Sequence, residues 1–326
     1  MLLITKNTNT VKSEVIVDWT DSRLTYLGRW LNGANGKYSG WCSSAIEFKV
    51  KGTSSIRVKA YINRVTPSVV EAIGFHIDNA PQNTSGLLFE TATAAFTGYR
   101  TITLPMANDG LWHTVRLYTV SDATNLFNQD TFIYFNSIIL DNGAELDIKV
   151  QGAKKLHCIG DSWMATSNDW PRLIDDSLYS NICIAGSGYT LNTANTRYPF
   201  DYNGSTNTTD ELADAVIISF GVNDYGASVS TATFQTQLLS LIDKVQIKQP
   251  SVPIFLVRVP NNGASLYGQY LTSMNNAAGL RSNVIVIDTT SIQASMDWVD
   301  AGHLGANGKL VYLGPLVKTA LIANGI

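Results

Sequence analysis

Residues 155–163 read K-L-H-C-I-G-D-S-W. The stretch opens as a short, mostly apolar run and breaks at Gly160, and a helical pattern follows over 169–179. An apolar strand that passes through a turn into a helix is the repeating unit of an α/β sheet. Such sheets present reactive groups at the carboxyl ends of their strands. Ser162 stands at that position and is the first candidate nucleophile. A serine hydroxyl reacts poorly until a neighbouring base takes its proton. The rest of the chain must therefore supply a base, a group to orient it, and donors for an oxyanion.

Working downstream, apolar runs at 156–159, 182–185, 215–219, 254–259 and 284–287 alternate with helical patterns at 169–179, 233–248, 266–280 and 309–323. This alternation predicts a parallel sheet with helices on both faces across residues 151–326. Upstream the pattern differs. Short runs at 15–17, 45–50, 55–61, 74–78, 99–104, 113–120 and 133–140 mostly alternate apolar and polar residues, as half-buried strands must. Turn signals separate them, among them Asn32-Gly33, Asn35-Gly36 and Asn142-Gly143. Residues 1–150 are predicted to form a β-sandwich or jelly roll, with the hand-over near 147–154.

The bulk numbers narrow the function. With 326 residues the chain is long enough for two domains with proper cores. Net charge is −3 and there is no basic run, so nucleic acid is not an expected partner. No apolar stretch reaches the ~18 residues that span a bilayer, so no membrane partner is expected. The start, MLLITKNTNTVK, lacks the basic and long apolar regions of a signal peptide. Cys42, Cys158 and Cys183 lie in apolar contexts and read as buried thiols rather than a disulfide framework. With four histidines in all and no pair at ligand spacing, no metal or other cofactor is expected.

Two histidines are available as a base for Ser162. His157 lies inside the first apolar run and reads as a packed strand residue. His303 follows Asp300-Ala301-Gly302 in a loop ahead of the last helical pattern. Asp300 is close enough in sequence to hold the imidazole Nδ1–H, fixing the tautomer and stabilising the imidazolium that attack creates. Oxyanion donors have two sources: the glycines Gly186 and Gly188 after the second strand, and Asn223 in the run Phe220-Gly221-Val222-Asn223-Asp224 after the third. Taken singly, each of these is an ordinary turn.

Taken in order, the four blocks Gly160-Asp161-Ser162, Gly186, Gly221-Val222-Asn223-Asp224 and Asp300-Ala301-Gly302-His303 resemble the SGNH (GDSL-type) hydrolase superfamily over roughly residues 154–326. That resemblance implies a flavodoxin-like three-layer α/β/α domain. It implies Ser162 as nucleophile, His303 as base and Asp300 as its orienter, with Asp297 a weaker substitute. The oxyanion would sit on the N–H groups of Ser162 and Gly186 and the amide of Asn223, with Gly188 as the alternative to Gly186. Trp163 and Leu304 depart from the usual pattern, which carries an aliphatic residue and a proline there. Trp163, Trp298, Gly188 and Asp224 are the expected substrate contacts, and Asp161 is expected to brace the Ser162 turn.

Upstream, Tyr26-Leu27-Gly28-Arg29-Trp30 and the segment from Ser39 to Thr53 resemble the opening of the N-terminal jelly roll of carbohydrate esterase family 2. This implies an acylated, most simply O-acetylated, carbohydrate as substrate. Two readings compete with it: a lipase- or thioesterase-like enzyme for longer acyl chains, and a non-catalytic carbohydrate-binding protein of phage-tail type. A phage-borne enzyme released by lysis would act outside its host cell and would be expected to form a homo-oligomer.

Overall fold

The structure, a computed structural model, describes residues 13–27, 30–39, 44–64, 71–78, 86–90, 96–121, 131–149, 154–164, 170, 178–183, 187–190, 213–258, 266–298, 303–305 and 308–326. Among these, the part before residue 150 is all strand: Val15–Asp18 (β1), Thr25–Leu27 (β2), Leu31–Gly33 (β3), Gly36–Ser39 (β4), Ala45–Lys51 (β5), Ser55–Arg64 (β6), Glu71–Ile77 (β7), Gly86–Glu90 (β8), Phe96–Pro105 (β9), His113–Ser121 (β10), Thr131–Leu140 (β11) and Glu145–Asp147 (β12). They make two antiparallel sheets. One runs β3-β4-β11-β6-β9 with β1 beside β11; the other runs β12-β5-β10-β7-β8 with β2 beside β5.

The alternation seen in the sequence decides which face is buried. Along β6, Ile56, Val58, Ala60 and Ile62 are fully buried, while Arg57, Lys59 and Tyr61 remain partly exposed. Ile46, Phe48 and Val50 of β5 and Val115 and Leu117 of β10 belong to the same core from the other sheet. Each large aliphatic side chain removed from water in this way contributes on the order of 1.5–3 kcal/mol.

Beyond residue 154, Lys155–Gly160 (β13), Leu178–Cys183 (β14), Ala215–Ser219 (β15), Ile254–Val257 (β16) and Val284–Ile287 (β17) form one parallel sheet in the order β14-β13-β15-β16-β17. This is the flavodoxin-like strand order, and the direction of winding reverses at β13. The helices are Val222–Gly226 (α1), Thr231–Lys248 (α2), Leu266–Leu280 (α3) and Gly314–Ala323 (α4). Ser230 caps α2 by accepting the Thr233 N–H at 3.2 Å. Phe234 of α2 stacks on Tyr270 of α3, centroids 4.0 Å apart, and so joins two successive crossover helices. All five residues of β15 are buried, as a central parallel strand requires.

The long strands and helices lie where the sequence predicts them, and the differences have local causes. The strand expected at 182–185 is Leu178–Cys183, so the end of the helix expected at 169–179 is strand; residues 169 and 171–177 lie outside the described ones. The turn expected at Asn32-Gly33 falls two residues later, because Gly33 pairs with Gly36. The helix expected at 309–323 divides into a π-helical turn, Gly308–Leu313, and α4, which begins at a proline-containing first turn.

Candidate active site

The site is built on the end of β13. A Cβ at Gly160 would meet the Met164 Sδ at 2.2 Å and the Ser219 carbonyl oxygen at 3.0 Å, so only glycine fits between β15 and the returning chain. The chain then folds back: the Met164 N–H donates to the Asp161 carbonyl at 3.1 Å, and the Trp163 N–H donates to Asp161 Oδ1 at 3.0 Å. Asp161 braces the turn from within, as its position in the sequence suggests. Ser162 is left at the apex, 8% exposed, at the point where the sheet reverses.

His303 comes from the other end of the sequence. Trp298 and Leu304 form an antiparallel bridge, and the Gly305 N–H donates to the Asp297 carbonyl at 2.9 Å, closing the loop that carries the histidine. The Asp297 carboxylate accepts the Gly308 N–H, and a side chain at Gly305 would collide with it. Asp297 is thus engaged with backbone of its own loop rather than free to orient His303. The result is a contact of 2.9 Å between Ser162 Oγ and His303 Nε2. That is hydrogen-bonding distance for a nucleophile and its base. Asp300 lies outside the described residues, and so does Gly186.

Gly221, with φ +134°, turns the chain from β15 into α1, and Asn223 falls in the first turn of that helix. Its Nδ2 donates to the Ser187 carbonyl at 2.7 Å. A primary amide has two N–H donors. One fixes the side chain across the loops after β14 and β15.

Three of the expected substrate contacts are buried. Trp163 is fully buried, 0% exposed, and packs edge-on against Trp298 at 5.9 Å. Its indole backs the site and offers no open face. Asp224 is also fully buried; its carboxylate accepts the Tyr189 N–H at 2.8 Å, the Thr190 N–H at 2.9 Å and the Thr190 hydroxyl at 2.6 Å. Gly188 serves that same contact, since a Cβ there would lie 2.4 Å from Asp224 Oδ2. Asp224 and Gly188 therefore lock the loop after β14 onto α1. Trp298 is half-buried and keeps a place at the surface beside the turn.

Ser187, whose carbonyl holds Asn223, was not legible as a supporting residue; the small-residue run around Gly188 is the only signal for it in the sequence. Burial pushes the Asp161 carboxyl up to about 7, and nearby Asp224 adds to this, while the Trp163 N–H and Lys309 oppose it. Among the described residues its Oδ2 has no hydrogen-bond partner. His157 and Cys158 are both buried in β13.

A serine hydroxyl on an imidazole, at the switch point of a parallel sheet and beside an oriented amide, is a constellation suited to acyl transfer. Residues 158–309 match the model of the GDSL-like Lipase/Acylhydrolase family. Solved structures of similar fold include several esterases. An acetyl xylan esterase from the rumen bacterium Butyrivibrio proteoclasticus superposes with a TM-score of 0.72 at 13% identity, covering 95% of this chain and 98% of that one. A family two carbohydrate esterase from Cellvibrio japonicus gives 0.68 at 14% identity, covering 95% and 97%. A family two carbohydrate esterase from Clostridium thermocellum, in complex with cellohexaose, gives 0.69 at 18%, covering 91% and 99%. At these identities the likeness is one of fold. No curated protein matches the chain.

Proposed function

We propose that the chain is a serine esterase that removes short acyl groups, acetyl foremost, from a carbohydrate. We read it as two domains, a jelly-roll sandwich over 1–150 and the hydrolase domain over 151–326. The observation that carries the reading is the 2.9 Å contact between Ser162 Oγ and His303 Nε2. The family match over 158–309 and the fold likeness to carbohydrate esterases support it.

In this reading His303 Nε2 takes the Ser162 hydroxyl proton as Oγ attacks the ester carbonyl. The tetrahedral oxyanion is held by the N–H groups of Ser162 and Gly186 and the remaining amide N–H of Asn223. Asp300 holds the imidazolium from its Nδ1 side. When the intermediate collapses, His303 gives its proton to the departing sugar oxygen, leaving acetyl on Ser162. A water molecule, deprotonated by the same imidazole, then attacks the acyl-enzyme and releases acetate. The half-buried Trp298 lines the acyl or sugar side, and Trp163 fixes it from behind.

The test is acetate release from acetylated glycans and from p-nitrophenyl acetate. Ser162→Ala and His303→Ala are expected to lower kcat by at least ~10³-fold. Near-full activity of Ser162→Ala would overturn the reading. A chain-length series of p-nitrophenyl esters separates it from a lipase: activity is expected to fall steeply beyond propionyl.

A further inference from the structure

The outer face of the first sheet carries a row of tyrosines that neither the fold nor the hydrolytic site requires. Tyr38 of β4 stands directly opposite Tyr134 of β11, Tyr134 opposite Tyr61 of β6, and Tyr61 opposite Tyr99 of β9. The four are in register across four adjacent strands. Their rings touch in sequence along the row, with centroids 4.7, 5.6 and 5.2 Å apart. Three inter-strand steps of ~4.8 Å give the row a length of ~14 Å. Alternation along β6 and β9 turns all of it away from the core: Ala60 and Ile62 flank Tyr61 and are fully buried, whereas Tyr99 is 48% exposed.

The surroundings of the row are polar. Thr97, Thr101 and Thr103 are exposed on β9. The tip of the β3–β4 hairpin closes one side: the Tyr99 hydroxyl donates to Asn35 Oδ1 at 3.3 Å, and Gly33 lies so close that a Cβ there would come within 2.8 Å of the Tyr134 ring. The Lys59 ammonium sits 4.7 Å from the centroid of the Tyr99 ring. Among the described residues no carboxylate pairs with Lys59, whereas its neighbour Arg57 is paired with Glu14 at 2.9 Å. A single cross-strand aromatic pair stabilises a sheet. A continuous row that ends in a half-exposed ring beside an unneutralised cation presents a surface for a ligand.

We propose that this row is a glycan-binding platform, separate from the hydrolytic site, that takes a polysaccharide strand bearing carboxylate sugars. Rings with an apolar face and a hydroxyl edge match the two kinds of surface on a pyranose, one of C–H groups and one of hydroxyls. Aliphatic side chains, which a protein partner would be expected to engage, are missing from the row. The carboxylate of a uronate sugar is the complement that Lys59 lacks.

The platform is tested on the full chain carrying Ser162→Ala to block turnover, by calorimetric titration with oligogalacturonate and with cellohexaose as the neutral comparison. Oligogalacturonate is expected to bind more tightly. Tyr99→Ala is expected to weaken binding about tenfold, the scale of one aromatic contact. Lys59→Gln is expected to remove the preference for the acidic chain and its salt dependence. In the otherwise wild-type chain, Tyr99→Ala and Lys59→Gln should leave p-nitrophenyl acetate turnover unchanged, so the platform can fail while the esterase reading stands. Unchanged affinity in Tyr99→Ala would overturn the proposal. So would equal binding of both glycans, or a concentration-dependent dimer abolished by Tyr99→Ala, which would assign the face to a second copy of the chain.

Discussion

Asp161→Asn separates the bracing role of this residue from its charge. The side chain is fully buried, Oδ1 accepts the Trp163 N–H at 3.0 Å, and Oδ2 has no partner among the described residues. Its pKa is about 7 in the folded chain, against 3.8 for an ordinary aspartate. Between these two values the folded state holds a proton that the unfolded state has released. Stability through this group is therefore greatest in acid and falls as pH rises from about 4 through 7. At ~1.4 kcal/mol per pH unit the full effect is ~4 kcal/mol. Asparagine keeps the acceptor for Trp163 and removes the titration, but its buried NH2 costs ~1–3 kcal/mol if unpartnered. Relative to wild type, the variant should be less stable near pH 4 and more stable above pH 8. The difference between the two ends should be ~4 kcal/mol whatever the amide costs. Urea unfolding followed by tryptophan fluorescence, at intervals between about pH 4 and pH 9, measures this directly, because Trp163 adjoins the site. A stability difference that stays constant across that range would refute the assignment of a buried, titrating carboxyl.

Other outcomes follow from single contacts. Gly160→Ala places a methyl against Met164 and the Ser219 carbonyl. It should cost ~1–3 kcal/mol and displace Ser162, lowering both the melting temperature and kcat/KM on p-nitrophenyl acetate. Asn223→Ala removes the proposed oxyanion donor and the tie to Ser187, and kcat should fall ~10²–10³-fold. His113 in the sandwich lies 2.6 Å from Asp78 and 3.0 Å from Asp109, which raise its pKa above the ordinary histidine value. The stabilisation is therefore complete in acid and is lost as pH rises through the raised pKa. NMR titration should find that pKa lowered in Asp78→Asn, and an unchanged value would refute the clamp.

The sequence carried the long elements because burial writes its period into them. The alternation of 55–61 and the apolar run of 215–219 each have one stable placement, and they became β6 and β15. The edge strands Thr25–Leu27, Leu31–Gly33 and Glu145–Asp147 are three residues long, too short to show a period. In the site, Ser162 and His303 were legible from their blocks, but the direction of a loop side chain was not. Asp224 and Gly188 point at each other because the loop after β14 folds onto α1, a tertiary contact with no local signature. The inward turn of Trp163 likewise has no local signature, because a residue next to a nucleophile can turn inward as readily as out.

The contact between Ser162 and His303 joins positions separated by 141 residues. Between them lie, among the described residues, the sheet's remaining strands and three α-helices. The serine turn leaves the ribosome long before its base, and no local segment can bring the two together. The proposed hydrolysis would thus be an all-or-none reporter of completed assembly of the sheet. Newly made chain should remain inert until its last loop docks.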